Sequence, residues 1–458
     1  MKRIKHEIDM CNGPLTGKVL LFSLPLMLSG MLQLLYNAAD VAVVGRFAGS
    51  ASLAAVGSTG SLTNLMINLF IGLSIGASVV VARNLGARDF RRAHDAVHTA
   101  IALSLVAGVV SLIIGVAFSR SLLVLMDSPD DVIDLAALYM KIYFLGMPAL
   151  MVYNFGSAIL RAMGDTMRPL YFLTISGLIN VLLNLLFVCV FHMDVAGVAL
   201  ATIISQYVSA VLVVICLSKL ENCCHLNFKE IKLHKKDVSE MLRVGLPAGI
   251  QSSMFSVSNV LIQSSIKSFG STVMAANAAA ANIEGFTYTA MNSIYQASIT
   301  FTSQNVGAKK PERIGKVCMV CLLTVTAIGI VMGCGSYFLG EPLLKIYSTD
   351  PAIIPYGMIR LKYVCLPYFM CGVMEVFVGL LRGMNCSAAP MIVSIFGSCV
   401  FRVAWVYTAF RVSPTLETLY IAYIISWTIC SIIQFACYLF VKKRTTVRLT
   451  QEANSNLK

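Results

Sequence analysis

A chain of 458 residues that is 57% hydrophobic and only 12% charged, with a mean hydropathy of +0.79, lies far from the roughly 25% charged residues of soluble domains. That composition excludes a soluble globule and points to an integral membrane protein. The net charge of +13 does not indicate nucleic acid, because the basic residues fall in alternate loops instead of one patch with interleaved aromatics.

A spanning helix needs about 20 apolar residues, and such runs place roughly twelve spans, at 19–46, 52–82, 95–120, 132–160, 168–192, 195–219, 241–266, 275–305, 314–338, 352–381, 390–410 and 417–441. Lys2, Arg3, Lys5 and Lys18 precede the first span, and Arg83, Arg88, Arg91 and Arg92 follow the second. Further basic groups follow the even-numbered spans: Arg161 and Arg168, Lys229 to Lys236, Lys309 to Lys316, Arg382, and Lys442 to Arg448. Basic residues stay on the cytoplasmic side, so both termini of the multi-pass chain are expected to be cytoplasmic. The opposite loops carry acids such as Asp127, Asp130, Asp131 and Asp134. No cleavable signal peptide is evident, and the first span is expected to serve as the insertion signal. Most of the fourteen Cys lie singly in apolar runs and read as small core residues. Cys223 and Cys224 are adjacent in a basic loop.

The first span contains Gln33-Leu34-Leu35-Tyr36-Asn37-Ala38-Ala39-Asp40. Gln33, Tyr36, Asn37 and Asp40 recur at helical spacing and share one face. An Asp at the centre of a membrane helix costs about 2.5–3.5 kcal/mol on insertion scales, so it is kept where it faces a cavity, a partner or an ion. Two readings stand: a cation or proton site, or a polar seam bonded to a neighbouring helix. Asn180 and Asn184 in the fifth span and Thr202 and Gln206 in the sixth are each one turn apart. Their neutral oxygens could complete a cage for sodium, a hard cation. A proton needs only the carboxylate, whose charged form burial disfavours.

The chain repeats itself. Leu160-Arg161-Ala162-Met163 with Pro169 is echoed by Leu381-Arg382-Gly383-Met384 with Pro390, at 382 − 161 = 221 positions. Arg83-Asn84-Leu85-Gly86-Ala87 and Gln304-Asn305-Val306-Gly307-Ala308 stand at the same offset, as do Ala201-Thr202-Ile203-Ile204-Ser205 and Ala422-Tyr423-Ile424-Ile425-Ser426. Each half holds an even number of spans, so the repeats are parallel, about an axis along the membrane normal. The expected fold is an all-α membrane protein of about twelve transmembrane helices in two parallel six-helix bundles around a central cavity. The N-terminal bundle is expected over 1–218, a cytoplasmic linker over 219–240, the C-terminal bundle over 241–441 and a cytoplasmic tail over 442–458. Pro25 and Pro247 open the first and seventh spans at equivalent places. Gly72 and Gly76 interrupt the second as a hinge or as a site of close packing.

The halves differ where charge is concerned. With the 222-position shift that aligns Pro25 with Pro247, Asn37 falls on Asn259 but Asp40 on Ile262. The polar stripe of the seventh span is the uncharged Ser252, Ser256, Asn259 and Gln263. The C-terminal half has its own intramembrane acids, Glu284 and Glu375, and Glu284 shares a face with Tyr288 and Asn292. Carboxylates with aromatics suit an organic cation; the alternative is a protonated Glu or one paired with a base such as Arg402. Gln33, Asn64, Asn68, Asn259, Gln263, Glu284, Tyr288, Asn292 and Glu375 are the candidate substrate residues. Enzyme signatures are missing: no Walker loop, no His-Glu-x-x-His helix and no paired Asp-rich motif.

The six-plus-six repeat, Tyr36-Asn37-Ala38-Ala39-Asp40, the Asn-Leu-Gly-Ala and Asn-Val-Gly-Ala motifs and the paired Leu-Arg-x-Met motifs together resemble the multidrug and toxic compound extrusion (MATE) family over essentially the whole chain. The resemblance implies antiport, in which an organic and often cationic drug leaves as sodium or protons enter, with no other cofactor. The expected partners are small-molecule drugs and the lipid bilayer, with no nucleic acid and a monomeric state. It makes Asp40 the coupling-ion residue, with Tyr36, Asn37, Asn180, Asn184 and Thr202 around it. Many relatives carry Asp at the position of Asn184, and one branch carries a Glu in the seventh span that this chain lacks. Glu284 and Glu375 are expected to take over part of that role, as in the branch common in low-GC Gram-positive bacteria. A flippase for a lipid-linked or amphiphilic substrate is the alternative transporter. A receptor or scaffold without flux is the alternative outside transport.

Overall fold

The computed structural model describes residues 7–125, 133–347 and 350–455, so Asp127, Asp130 and Asp131 lie outside the described residues. Backbone polar groups in hydrocarbon must be satisfied internally, which leaves helices as the solution for apolar runs of this length. Among the described residues there are helices and no strands. In the first half the helices are α1 (Thr16–Val43), α2 (Gly49–Gly86), α3 (Phe90–Leu125), α4 (Ile133–Leu145), α5 (Met147–Met163), α6 (Met167–Asn184) and α7 (Asp194–Ser218). In the second they are α8 (Lys235–Lys267), α9 (Ser271–Gly307), α10 (Pro311–Phe338), α11 (Gly340–Tyr347), α12 (Ile353–Arg360), α13 (Phe369–Gly383), α14 (Ala388–Ser394), α15 (Phe401–Tyr407), α16 (Ala409–Val412) and α17 (Leu416–Ser455).

All twelve expected spans are helical, several with breaks. The fourth is α4 and α5, bent by 46° at Gly146, just ahead of Pro148. The tenth is α12, a π turn at Leu361–Cys365, a short 3-10 turn holding Pro367, and α13. Further π turns follow α1 at Val44–Ala48 and α6 at Leu185–Val190. Among the described residues nine helical stretches, or ten counting the bent pair, are long and apolar enough to cross a membrane. The two that fall short are α8 and α9, which carry Ser252, Ser256, Asn259 and Gln263, and Asn277, Glu284, Thr287 and Asn292. Helix α9 buries much of its length within the protein. The expected tail is a continuation of α17 as far as Ser455.

The 221-residue repeat is visible in the backbone. Helices α2 and α9 end at Gly86 and Gly307, and each is followed by a left-handed residue, Arg88 at φ 56° and Lys309 at φ 54°. Left-handed Gly164 (φ 94°) and Asn385 (φ 66°) close α5 and α13 in the same way. The repeated motifs therefore run into helix stops, at Gly and Asn, which tolerate the left-handed conformation, in one pair and at Arg and Lys in the other.

Two compact units result: Met1–Ile8 with Leu28–Gly249, and Asp9–Met27 with Ile250–Lys458. Helices α1 and α8 are thus each divided between units, three residues past Pro25 and Pro247. In the first unit, α8 meets α2 backbone to backbone. A Cβ on Gly72 would lie 2.2 Å from Gly249 N, one on Gly76 2.1 Å from the Met241 carbonyl oxygen, and one on Gly249 2.2 Å from that of Leu69. Small residues let membrane helices approach this closely. The second unit repeats the crossing with Ser for Gly: Ser23 Oγ of α1 donates to the Ser293 carbonyl of α9 at 3.5 Å, and Phe22 packs edge-on to Phe301.

The segment between the halves is docked on the first unit. Leu220, Cys224 and Leu226 are buried in its core, Asn222 Nδ2 donates to Glu7 at 3.0 Å, and Arg83 pairs with Glu240. Cys224 accordingly behaves as a core residue.

Gly76→Val should lower the melting temperature of the detergent-purified protein by several degrees or abolish its monodisperse peak, because overpacking costs about 1–3 kcal/mol or more. Gly335→Val, where a Cβ meets nothing within 4 Å, should leave both unchanged in a fluorescence melting scan.

Candidate functional site

In the first unit the helical period of α1 brings Asp40 against α6. Asn184 Nδ2 donates to Asp40 Oδ1 and reaches Asn180 Oδ1 at 3.4 Å. Asn180 Nδ2 reaches Thr202 Oγ1 on α7 at 3.5 Å, and Thr202 Oγ1 donates to the Val198 carbonyl at 3.0 Å. Asn180 and Asn184 are buried, and Asn184 Oδ1 makes no protein hydrogen bond. Four of the six expected ion residues therefore form one polar chain across three helices. Tyr36 belongs to the same contact one turn earlier: its hydroxyl donates to the Thr174 carbonyl at 3.4 Å, and its ring lies where a Cβ on Gly177 would stand, 1.9 Å away. Asn37 is exposed. Gln206 points elsewhere, towards Tyr143 and Gly146. Tyr139 and Tyr143 of α4, which the sequence reading did not single out, lie within electrostatic reach of Asp40. The π turns after α1 and α6 begin at Val44 and Leu185, beside the two members of the central hydrogen bond.

The second unit has no carboxylate at the equivalent place, and Ile262 is buried there. Its acid is answered differently. Arg360, at the end of α12, places Nη2 2.6 Å and Nε 3.2 Å from Glu284 Oε2. Arg360 Nη1 also donates to Asn277 Oδ1, which accepts a second bond from the Tyr420 hydroxyl at 3.0 Å. The side chains of Arg360 and Glu284 are 8% and 15% exposed, so the pair is largely removed from water. Of the two readings of Glu284, pairing with a base is the one observed, but the base is Arg360. Arg402 bonds Ser426 Oγ at 3.1 Å and stacks over Tyr423 at 4.2 Å. A single Arg inside an apolar run was the signal for Arg360, by the same rule that marks Asp40.

Tyr288 and Asn292 share a face as expected, with Asn292 Nδ2 donating to the Tyr288 hydroxyl at 3.2 Å. Glu375 stands within electrostatic reach of Tyr288, Tyr295 and Arg382. Arg382, read from sequence as a loop base, is instead buried in α13 and bonds the Tyr295 hydroxyl and Gln251 Oε1. Gln251 in turn donates to Ser394 Oγ at 3.0 Å. Among the remaining candidate substrate residues, Gln33, Asn64, Asn259 and Gln263 are exposed and Asn68 is half-buried.

A family model described as MatE matches residues 25–186 and again residues 247–408, the same 222-position shift that aligns Pro25 with Pro247. The chain belongs to the MatE family. Among curated relatives of this MatE chain, a probable multidrug resistance protein, YoeA, of Bacillus subtilis (strain 168) is 27% identical over 94% of the chain and 95% of the relative. The multidrug export protein MepA of Staphylococcus aureus (strain NCTC 8325 / PS 47) is 21% identical over 95% and 96%. Among solved structures, an outward-facing multidrug resistance MATE family transporter of the MOP superfamily superposes with a TM-score of 0.89 at 22% identity, covering 98% of the chain and 100% of that structure. A MOP superfamily transporter from Pyrococcus furiosus superposes at 0.88 with the same identity and coverage. These matches identify a multi-pass membrane protein of a multidrug efflux transporter family, whose members are transporters and not enzymes.

Breaking a buried ion pair by removing one partner costs about 3–5 kcal/mol, whereas removing both costs far less. Arg360→Gln should therefore melt well below wild type, and adding Glu284→Gln to it should restore most of the loss in a double-mutant cycle read by thermal unfolding.

Proposed function

We propose that this MatE protein exports organic, often cationic, compounds by alternating access in exchange for protons, with Asp40 as the group that carries the coupling charge. The observation that carries this reading is that Asp40 is held by the neutral amide of Asn184, whereas Glu284 of the other unit is held by a guanidinium. An ion pair locks a carboxylate in its charged form. A neutral amide does not.

The Asn184 side chain serves either state of Asp40: its N–H donates to the carboxylate, and after a flip its Oδ1 accepts from the protonated acid. Sodium would use the same oxygens, but Asn184 supplies no second negative charge, which favours the proton. Entry of one positive charge down 100 mV releases about 2.3 kcal/mol, equivalent to about 1.6 decades of substrate gradient at 1.4 kcal/mol per decade. The aromatic and amide groups Tyr288 and Asn292, with Glu375, suit an organic cation. The placement of Lys and Arg supports cytoplasmic termini, and the bacterial relatives support an inner or plasma membrane location.

A flippase for an anionic amphiphile is the second reading, favoured by the burial of Arg360, Arg382 and Arg402 in one unit. Against it, the side chains around each base already answer it: Glu284 and Asn277, Tyr295 and Gln251, Ser426 and Tyr423.

In everted vesicles, dye efflux should depend on the proton gradient and not on sodium. Asp40→Asn should reduce it at least tenfold with the folded yield unchanged, and wild-type efflux from that variant would exclude Asp40 as the coupling group. Asn184→Asp supplies the missing charge and should introduce sodium dependence, read as sodium stimulation of the same efflux. Lipid translocation by the wild-type protein without any dye efflux would favour the flippase.

A further inference from the structure

Away from the intramembrane site, His94 and His98 of α3 and Glu230 of the 3-10 turn Phe228–Glu230 each offer a ligand atom within 4.8 Å of the others. We propose that these three residues bind a divalent transition metal of the zinc class, fastening the segment between the halves to α3.

Three features of the geometry point this way. His94 and His98 are four residues apart on one helix, the spacing that puts two imidazoles on one face for a single ion, and their ring centroids are 4.2 Å apart. His98 Nδ1 lies 2.8 Å from the His94 carbonyl, so its N–H sits on a backbone oxygen and its lone pair is on Nε2. That is the outer-shell arrangement by which metal-binding histidines are oriented. Glu230 Oε2 stands 3.4 Å from His94 Nε2, close to the roughly 3.3 Å between two ligands of a tetrahedral zinc at bond lengths of about 2.0–2.1 Å.

The competitor is also visible. His98 Nε2 accepts the Asn227 backbone N–H at 3.0 Å, and Asn227 Nδ2 holds Glu230 Oε1 at 2.6 Å. Metal binding exchanges the first of these bonds for a coordinate bond and closes the turn on α3. His94 and Glu230 are partly exposed, which gives the ion a path to the site, and water supplies the fourth ligand.

The test uses the full-length protein in detergent with no polyhistidine tag. Cobalt absorption and zinc competition should show one tight site per chain. His94→Gln and Glu230→Gln, at partly exposed positions that keep the fold, should each weaken zinc at least tenfold, since even outer-shell changes cost 10–100-fold. His234→Gln should not, because His234 bonds Thr99 outside the cluster. Absence of a saturable site, or equal zinc affinity in wild type and both ligand variants, would show that Asn227 and not a metal holds the cluster.

Discussion

A charge inside a bilayer must be answered by something in the protein, and this chain answers it in two ways. In the first unit one carboxylate, Asp40, meets amides and a hydroxyl: Asn184, Asn180 and Thr202. In the second, Glu284 meets Arg360, and Asn277 Oδ1 accepts from both Arg360 Nη1 and the Tyr420 hydroxyl. The first arrangement gives the carboxylate neutral partners and the second gives it a cation. The asymmetry between two otherwise repeated halves is the physical basis for assigning them different work.

The packing that supports these sites depends on small residues where helices cross. Gly72, Gly76, Gly245 and Gly249 bring α2 and α8 to backbone contact, and the Ser23 hydroxyl of α1 reaches the Ser293 carbonyl of α9 at the equivalent place. Polar helices that would be costly alone are sheltered by this packing. Helix α9 carries Asn277 and Glu284 because its neighbours satisfy them.

Much of this was legible in the sequence. Apolar runs placed the long helices, most of them because a membrane span is fixed by length and hydropathy with few competing solutions, although α8 and α9 are more polar than the rest. The 221-residue repeat located the helix stops, with left-handed residues at matching positions, although the motifs alone did not reveal that role. Asp40, Asn180, Asn184 and Thr202 were found from helical spacing and cost. Arg360 was hidden because, with Lys362 two residues on, it has the signature of the basic residues that flank spans, and Arg382 was placed in a loop because a basic residue near a span end has the same signature whether it faces water or a buried tyrosine. The docking of residues 219–240 was hidden by their polarity, since their anchors Leu220, Cys224 and Leu226 are too few to form a pattern.

The division of α1 and α8 between the two units bears on biosynthesis. The groove formed by the glycines of α2 stays bare until the ribosome has delivered residues 241–249, and residues 9–27 must wait for α9 before their own packing exists. Neither half can mature by itself as it emerges, so insertion into the bilayer and completion of the tertiary structure are separate events, the second delayed until most of the chain is made.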